Sequence, residues 1–182
     1  MTSVRRSFTD RLRDPRHVWG RLLVLLIPFA VLAVVLKLIR IEEFFPQAGA
    51  SETLAKVSSD VAFGTAWLLL WMLLCWLAKG TARAVVFYLA HALTLVLGIF
   101  TVINHEYMIR TGSPLTFRQI EYAWNQQGEL NALLQSQFSN SAVALLVGVV
   151  LGVLVLPLLL GPAVSRLIRR RPHRRLKYVS LA

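Results

Sequence analysis

The chain has 182 residues, of which 56% are hydrophobic and 16% charged, and its formal net charge is +11. Soluble domains carry roughly 45–50% apolar and about 25% charged residues, so this composition excludes an ordinary water-soluble core. The single cysteine, Cys75, excludes an internal disulfide, a tetrahedral thiolate metal site and paired-cysteine thiol chemistry; it reads as a small packing residue.

The apolar excess is blocky, in four stretches that approach or exceed the roughly 18–20 residues needed to span hydrocarbon. Ahead of them, residues 1–21 form a basic segment with Arg5, Arg6, Arg11, Arg13, Arg16 and Arg21. The first span is expected over 22–39. No small-residue cleavage site follows it; Lys37, Arg40, Glu42 and Glu43 come instead, so it reads as a retained helix rather than a signal peptide. Lys37 can snorkel to the interface, and Pro28 can be tolerated inside a membrane helix.

A second, uncharged span is expected over 61–78, with Ser58, Ser59 and Asp60 as N-cap residues. Trp67 and Trp71 fall one turn apart, on a face packing on lipid or on another helix. The short link holding Lys79 and Arg83 makes the third span, 84–103, an antiparallel neighbour of the second. His91 lies near the middle of that third span. An ionisable residue there is a functional candidate by default, set against a plain hydrogen bond within the bundle. The fourth span, 141–164, is uncharged and carries Ala144, Gly148 and Gly152 at intervals of four. Small residues so spaced let helix backbones approach, so this face is expected to make the tightest contact of the bundle. Residues 165–182 form a basic tail with Arg166, Arg169, Arg170, Arg171, Arg174, Arg175 and Lys177.

Thirteen of the twenty Lys and Arg residues therefore flank the first and last spans. Placed so, they mark cytoplasmic segments and attract anionic headgroups, making membrane lipids the expected partner. No aromatic-studded groove or nucleic-acid motif accompanies them, and nucleic-acid binding is not expected. Loops 40–60 and 104–140 mix acidic and basic residues. The expected topology has four spans, both termini and the Lys79–Arg83 link in the cytoplasm, and the two long loops outside. The fold class is all-α: an integral membrane four-helix bundle with short interfacial amphipathic helices in the second outer loop.

That loop holds most of the local signal. Thr111-Gly112-Ser113-Pro114 is turn chemistry. Thr116 stands three residues before Gln119, a capping-box spacing. Phe117, Ile120 and Trp124 then share a helical face, and Leu130, Leu133, Leu134 and Phe138 repeat the pattern after Gly128. Two short interfacial helices are expected. Chemistry is not: Glu121 and Glu129 are separated by Gly128 and read as solvated faces, and His105 beside Glu106 makes too few ligands for a metal. No catalytic triad, phosphate loop or zinc spacing is present, so no catalytic, cofactor or metal residue is nominated.

Asn104-His105-Glu106-Tyr107, Thr111-Gly112-Ser113-Pro114-Leu115-Thr116 and Ile120-Glu121-Tyr122 together resemble the loop after the third membrane helix of sulfatase-like membrane enzymes. These are the relatives of lipoteichoic acid synthase and the phosphoethanolamine transferases in the alkaline phosphatase superfamily. The resemblance is loose along the whole chain and sharper over this segment. It implies a bacterial inner membrane location and a membrane anchor for a hydrolase or lipid-headgroup transferase. The catalytic domain, with its Thr, Ser or modified Cys nucleophile and divalent metal, would lie beyond Ala182. Cys75-Trp76-Leu77-Ala78 lacks the Cys-x-Pro-x-Arg pattern of a modified sulfatase cysteine. By the same resemblance Asn104, Tyr107, Ser113, Pro114 and Thr116 are candidate contacts to lipid or to the catalytic domain, without a catalytic role. The competing expectation is a self-contained small membrane protein acting through partners or lipids, with Ala144, Gly148 and Gly152 serving assembly. A transporter is a weaker third reading, resting on His91 alone.

Overall fold

The computed structural model describes residues 15–125 and 140–170. Every regular element among them is helical: α1 Pro15–Phe44, α2 Ala50–Leu77, α3 Thr81–Thr111, α4 Phe117–Asn125, α5 Asn140–Leu159 and α6 Gly161–Arg170. The basic terminal segments (Arg5 through Arg13, Arg171 through Lys177) and the second interfacial helix, with Leu130, Leu133, Leu134 and Phe138, lie outside the described residues.

Four of these helices, α1, α2, α3 and α5, are long and apolar enough to cross a membrane. Their surroundings fit that environment. Only 28%, 17%, 28% and 22% of their apolar windows are buried inside the protein. Leu54, Leu69, Leu73, Trp76, Val96, Leu151 and Leu154 are among the many large apolar side chains left exposed. Helices apolar on all sides belong in lipid, since the same surface in water would be one continuous aggregation-prone patch. The chain is a multi-pass membrane protein with an all-α four-helix architecture.

The helices overshoot the apolar stretches. A span needs roughly 20 residues, whereas α1, α2 and α3 run for 30, 28 and 31. The two loops of the sequence reading shrink accordingly. Residues 40–60 are helical except for 45–49, and α2 starts at Ala50 behind Gly49 rather than at Ser58–Asp60. Ser58 is an interior position whose hydroxyl donates to the Ala55 carbonyl at 2.7 Å. Helical hydrogen bonding is the cheapest way for a backbone to leave the hydrocarbon, so charged residues continue a helix past its apolar part. Pro46 and the Phe45–Ala48 turn reverse the chain between α1 and α2 (Ala48 N to Phe45 O, 2.9 Å). Likewise α3 runs to Thr111, roughly two turns past 103. It ends where Gly112 adopts the left-handed conformation (φ 71°) and donates to Met108 O, a glycine C-cap.

α1 is the hub. It packs on α2, α3, α5 and α6; α3 also packs on α2 and α5, while α2 and α5 do not touch. The interior is built from Leu22, Leu25, Leu26 and Leu36 of α1, Trp71 and Cys75 of α2, Phe87, Ala90 and Val102 of α3, and Val149 and Val153 of α5. Glycines open the closest crossings. A Cβ on Gly64 would lie 2.9 Å from Ala30 Cβ across α2 and α1, and one on Gly98 would lie 2.8 Å from Val149 Cγ1 across α3 and α5. Trp67 Nε1 donates to Thr94 Oγ1 at 3.2 Å, and its ring meets Trp71 edge-on at 5.4 Å. The tryptophan face therefore packs on α3.

The face of α5 differs from the expectation. Ala142, Val149, Val153 and Pro157 are its buried residues. Ala144 and Gly148 are exposed and Gly152 is half-buried. A Cβ on Gly148 would meet nothing within 4 Å, and one on Gly152 only Leu156 of the same helix. Among the described residues Gly148 and Gly152 meet no other helix; Val149 and Val153 on the neighbouring face are buried instead.

At one end, hereafter the basic end, α6 crosses α1. Gly161 stacks on Arg21 and Gly20 on Ser165, so closely that neither glycine has room for a side chain. Here too Arg83 Nε donates to the Cys75 carbonyl at 2.9 Å. That carbonyl belongs to the last turn of α2 and has no helical donor of its own, so a buried arginine caps it. The opposite, distal end carries the α1–α2 turn, the end of α3, and α4.

Candidate functional site

Polar side chains concentrate at the distal end, in a layer closed above by the turn 112–116. Asn104 Oδ1 accepts from the Leu115 backbone N–H at 2.9 Å, tying the turn down onto α3. Thr111 Oγ1 donates to the Tyr107 carbonyl at 2.8 Å and accepts from the Ser113 N–H at 3.3 Å. Thr116 and Gln119 close the predicted capping box: Thr116 N–H donates to Gln119 Oε1 at 2.7 Å and Gln119 N–H to Thr116 Oγ1 at 3.4 Å. The helix behind it is α4, the first of the two expected amphipathic helices.

Asn104, Ser113 and Thr116 thus come together through the turn, and Tyr107 enters it through its carbonyl. Pro114 is exposed at its tip. The Asn104 and Thr116 side-chain oxygens and the Tyr107 carbonyl serve to shape this cap. The local sequence favours it: a glycine free to adopt positive φ, a proline that stops the helix, and a Thr–Gln pair three residues apart.

Beneath the cap lies a charged layer. Lys37 and Asp60 pair at 3.3 Å between α1 and α2. Glu52 and Lys56 pair at 2.8 Å on α2, and Lys56 stands 3.8 Å over the Phe45 ring. Glu106 and Arg110 approach to 3.9 Å on α3. The innermost members are Arg40, 9% exposed, and His105, 6% exposed. Arg40 Nε donates to the Leu36 carbonyl at 3.3 Å and Nη1 to Met108 Sδ at 3.6 Å. His105 interacts with the same Leu36 carbonyl and feels the charge of Arg40, while its Nδ1 is buried with no hydrogen-bond partner.

Arg40 and His105 are the residues that sequence reasoning assigned elsewhere, one to a loop and one to a helix boundary. A signal was present for His105. From Ala84 on, the buried positions of α3 are Ala84, Phe87, Ala90, Thr94, Gly98, Val102 and His105, a run of three- and four-residue steps. Continuing that period past Ile103 places His105 in the interface.

His91 has an ordinary explanation. Its Nδ1 donates to the Phe87 carbonyl of its own helix at 3.0 Å, and the two rings lie 4.3 Å apart. Thr94 is engaged by Trp67, and Tyr88 is exposed. Glu121 is exposed, and Glu129 lies outside the described residues. Among the described residues no group of three or more His, Cys, Asp or Glu could hold a metal ion.

No family model, no curated protein and no solved structure matches the chain.

Proposed function

We propose that this chain is the membrane-anchor region of a sulfatase-like hydrolase or lipid-headgroup transferase of the bacterial inner membrane. It has both termini in the cytoplasm, and its distal cap faces outward to position a catalytic domain at the lipid surface. The observation that supports the reading best is the build of residues 104–116. The segment that carries the resemblance is an ordered platform pinned by Asn104 to the end of a membrane helix. Such a platform suits docking a domain on a bilayer. The orientation rests on the arginine-rich flanks. Divalent-metal chemistry would belong to the catalytic domain.

The test is the mass of the native gene product, by immunoblot with an antibody to residues 104–140. A band two- to four-fold heavier than the 20.5 kDa of this sequence is the expected result. A band at 20.5 kDa would contradict the anchor reading. It would leave a self-contained protein acting through partners or lipids, which the unoccupied Ala144–Gly148–Gly152 face favours.

A further inference from the structure

A guanidinium is an unusual group to enclose without a carboxylate. Arg40 is about nine-tenths buried, yet its two hydrogen-bond acceptors are a backbone carbonyl and a thioether, the latter a weak acceptor. Three of its five N–H groups are left over. The acidic group whose charge acts on it is Asp60, which is already bridged to Lys37 at 3.3 Å. Glu106 faces Arg110. Glu42 and Glu43 follow Arg40 in the last turn of α1 but are exposed, and none of these carboxylates forms an ion pair or hydrogen bond with the guanidinium. Beside it His105 carries a second unused polar atom, Nδ1. Buried cations are ordinarily paired, because a carbonyl and a thioether do not replace the hydration that a guanidinium gives up on burial.

We propose that Arg40 and His105 form the floor of a binding site for one phosphate-type oxyanion at the distal end of the bundle, supplied by a lipid headgroup or as free phosphate. The free guanidinium N–H groups match two oxygens of a phosphate in a fork. His105 Nδ1, left without a donor, accepts from an O–H of the same group, a glycerol hydroxyl of the lipid or the P–OH of free phosphate. The Leu36 carbonyl and Met108 sulfur hold the fork in place from behind. The oxyanion gives the guanidinium the anionic partner that the Leu36 carbonyl and Met108 sulfur do not. The inference goes beyond the anchor reading and does not depend on which leaflet the distal end meets, so either can fail alone.

The test is native mass spectrometry of the full chain released from detergent, titrated separately with phosphatidylglycerol, with diacylglycerol of the same acyl chains, and with inorganic phosphate. Titrations at about 1 M salt, where the Debye length is about 3 Å, screen the exposed arginine clusters and spare an enclosed site. The expected result is one phosphatidylglycerol retained by the wild type and no retained diacylglycerol. Arg40→Met should bind about ten- to hundredfold more weakly, the range for losing a charge-assisted bond. Arg110→Gln, which removes a charge at the same end, should match the wild type. Arg40→Lys keeps the charge but not the fork, so it should fold and still bind more weakly. It carries the test if Arg40→Met does not fold. Displacement of the lipid by inorganic phosphate would assign the site to the oxyanion alone, and persistence of the lipid would assign it to a headgroup. Equal retention by wild type, Arg40→Met and Arg40→Lys, or equal retention of diacylglycerol, would overturn the proposal.

Discussion

Two glycine substitutions separate the packed face of α5 from the face the sequence favours. A Cβ at Gly98 would stand 2.8 Å from Val149 Cγ1, against a carbon–carbon optimum of about 3.5–4.0 Å. Val149 is 8% exposed and β-branched, so it has essentially one χ1 rotamer in a helix and cannot swing aside. The remaining relief is a displacement of α5 from α3 by close to 1 Å. Gly98→Leu adds three further carbons to the same crossing. Overpacking of this kind costs about 1–3 kcal/mol, and the better helix propensity of Leu returns about 0.5–1. The net loss is about 1 kcal/mol, which corresponds to about 2–4 °C in Tm for a chain of this size. Gly148→Leu meets open space, so it keeps the propensity gain and should leave Tm unchanged or slightly raised. Thermal unfolding of both variants in the same detergent, followed by circular dichroism, makes the comparison. A Gly148→Leu loss as large as that of Gly98→Leu would refute the packing described for α5.

Other expectations concern single contacts. Thr94→Val removes the acceptor of Trp67 Nε1 while keeping side-chain volume. It should cost about 1–2 kcal/mol by leaving a donor unpaired, read as a lower Tm. Arg83→Met strips the cap from the Cys75 carbonyl. A loss of about 1–3 kcal/mol is expected, together with faster amide hydrogen exchange in the last turn of α2; unchanged exchange there would contradict the capping role. Asn104→Ala frees the Leu115 N–H. It should accelerate proteolysis at residues 112–116 with little change in Tm, because the perturbation is confined to the cap. His91→Phe removes only a bond within α3, and a shift within about 1 kcal/mol of wild type is expected.

The membrane spans were legible because hydropathy needs no tertiary information: a charge-free stretch of about twenty residues has one stable environment. Their ends were not, since a helix continues through Lys37, Arg40 and Asp60 once partners or headgroups accept the charges. The turn at Gly112–Pro114 and the capping box at Thr116 were legible for a different reason. Their geometry is set by neighbours within four residues. The α5 stripe misled because spacing identifies residues that permit close approach without saying which helix approaches. Gly98 and Gly64, isolated in their helices, made the tight crossings instead. Arg40 was hidden most completely. Its environment is assembled from α1 and α3, whose meeting at Leu36, His105 and Met108 no local pattern encodes.

The most direct test of the account is the side of the membrane on which each end lies. Cys75 is fully buried, so the wild type serves as the blank for a membrane-impermeant maleimide. Arg118→Cys places a thiol at the distal cap and Lys79→Cys one at the basic end, both at exposed positions. The account predicts that intact cells label Arg118→Cys, and that Lys79→Cys labels only after permeabilisation. The reverse pattern, or labelling of both from one side, would contradict it.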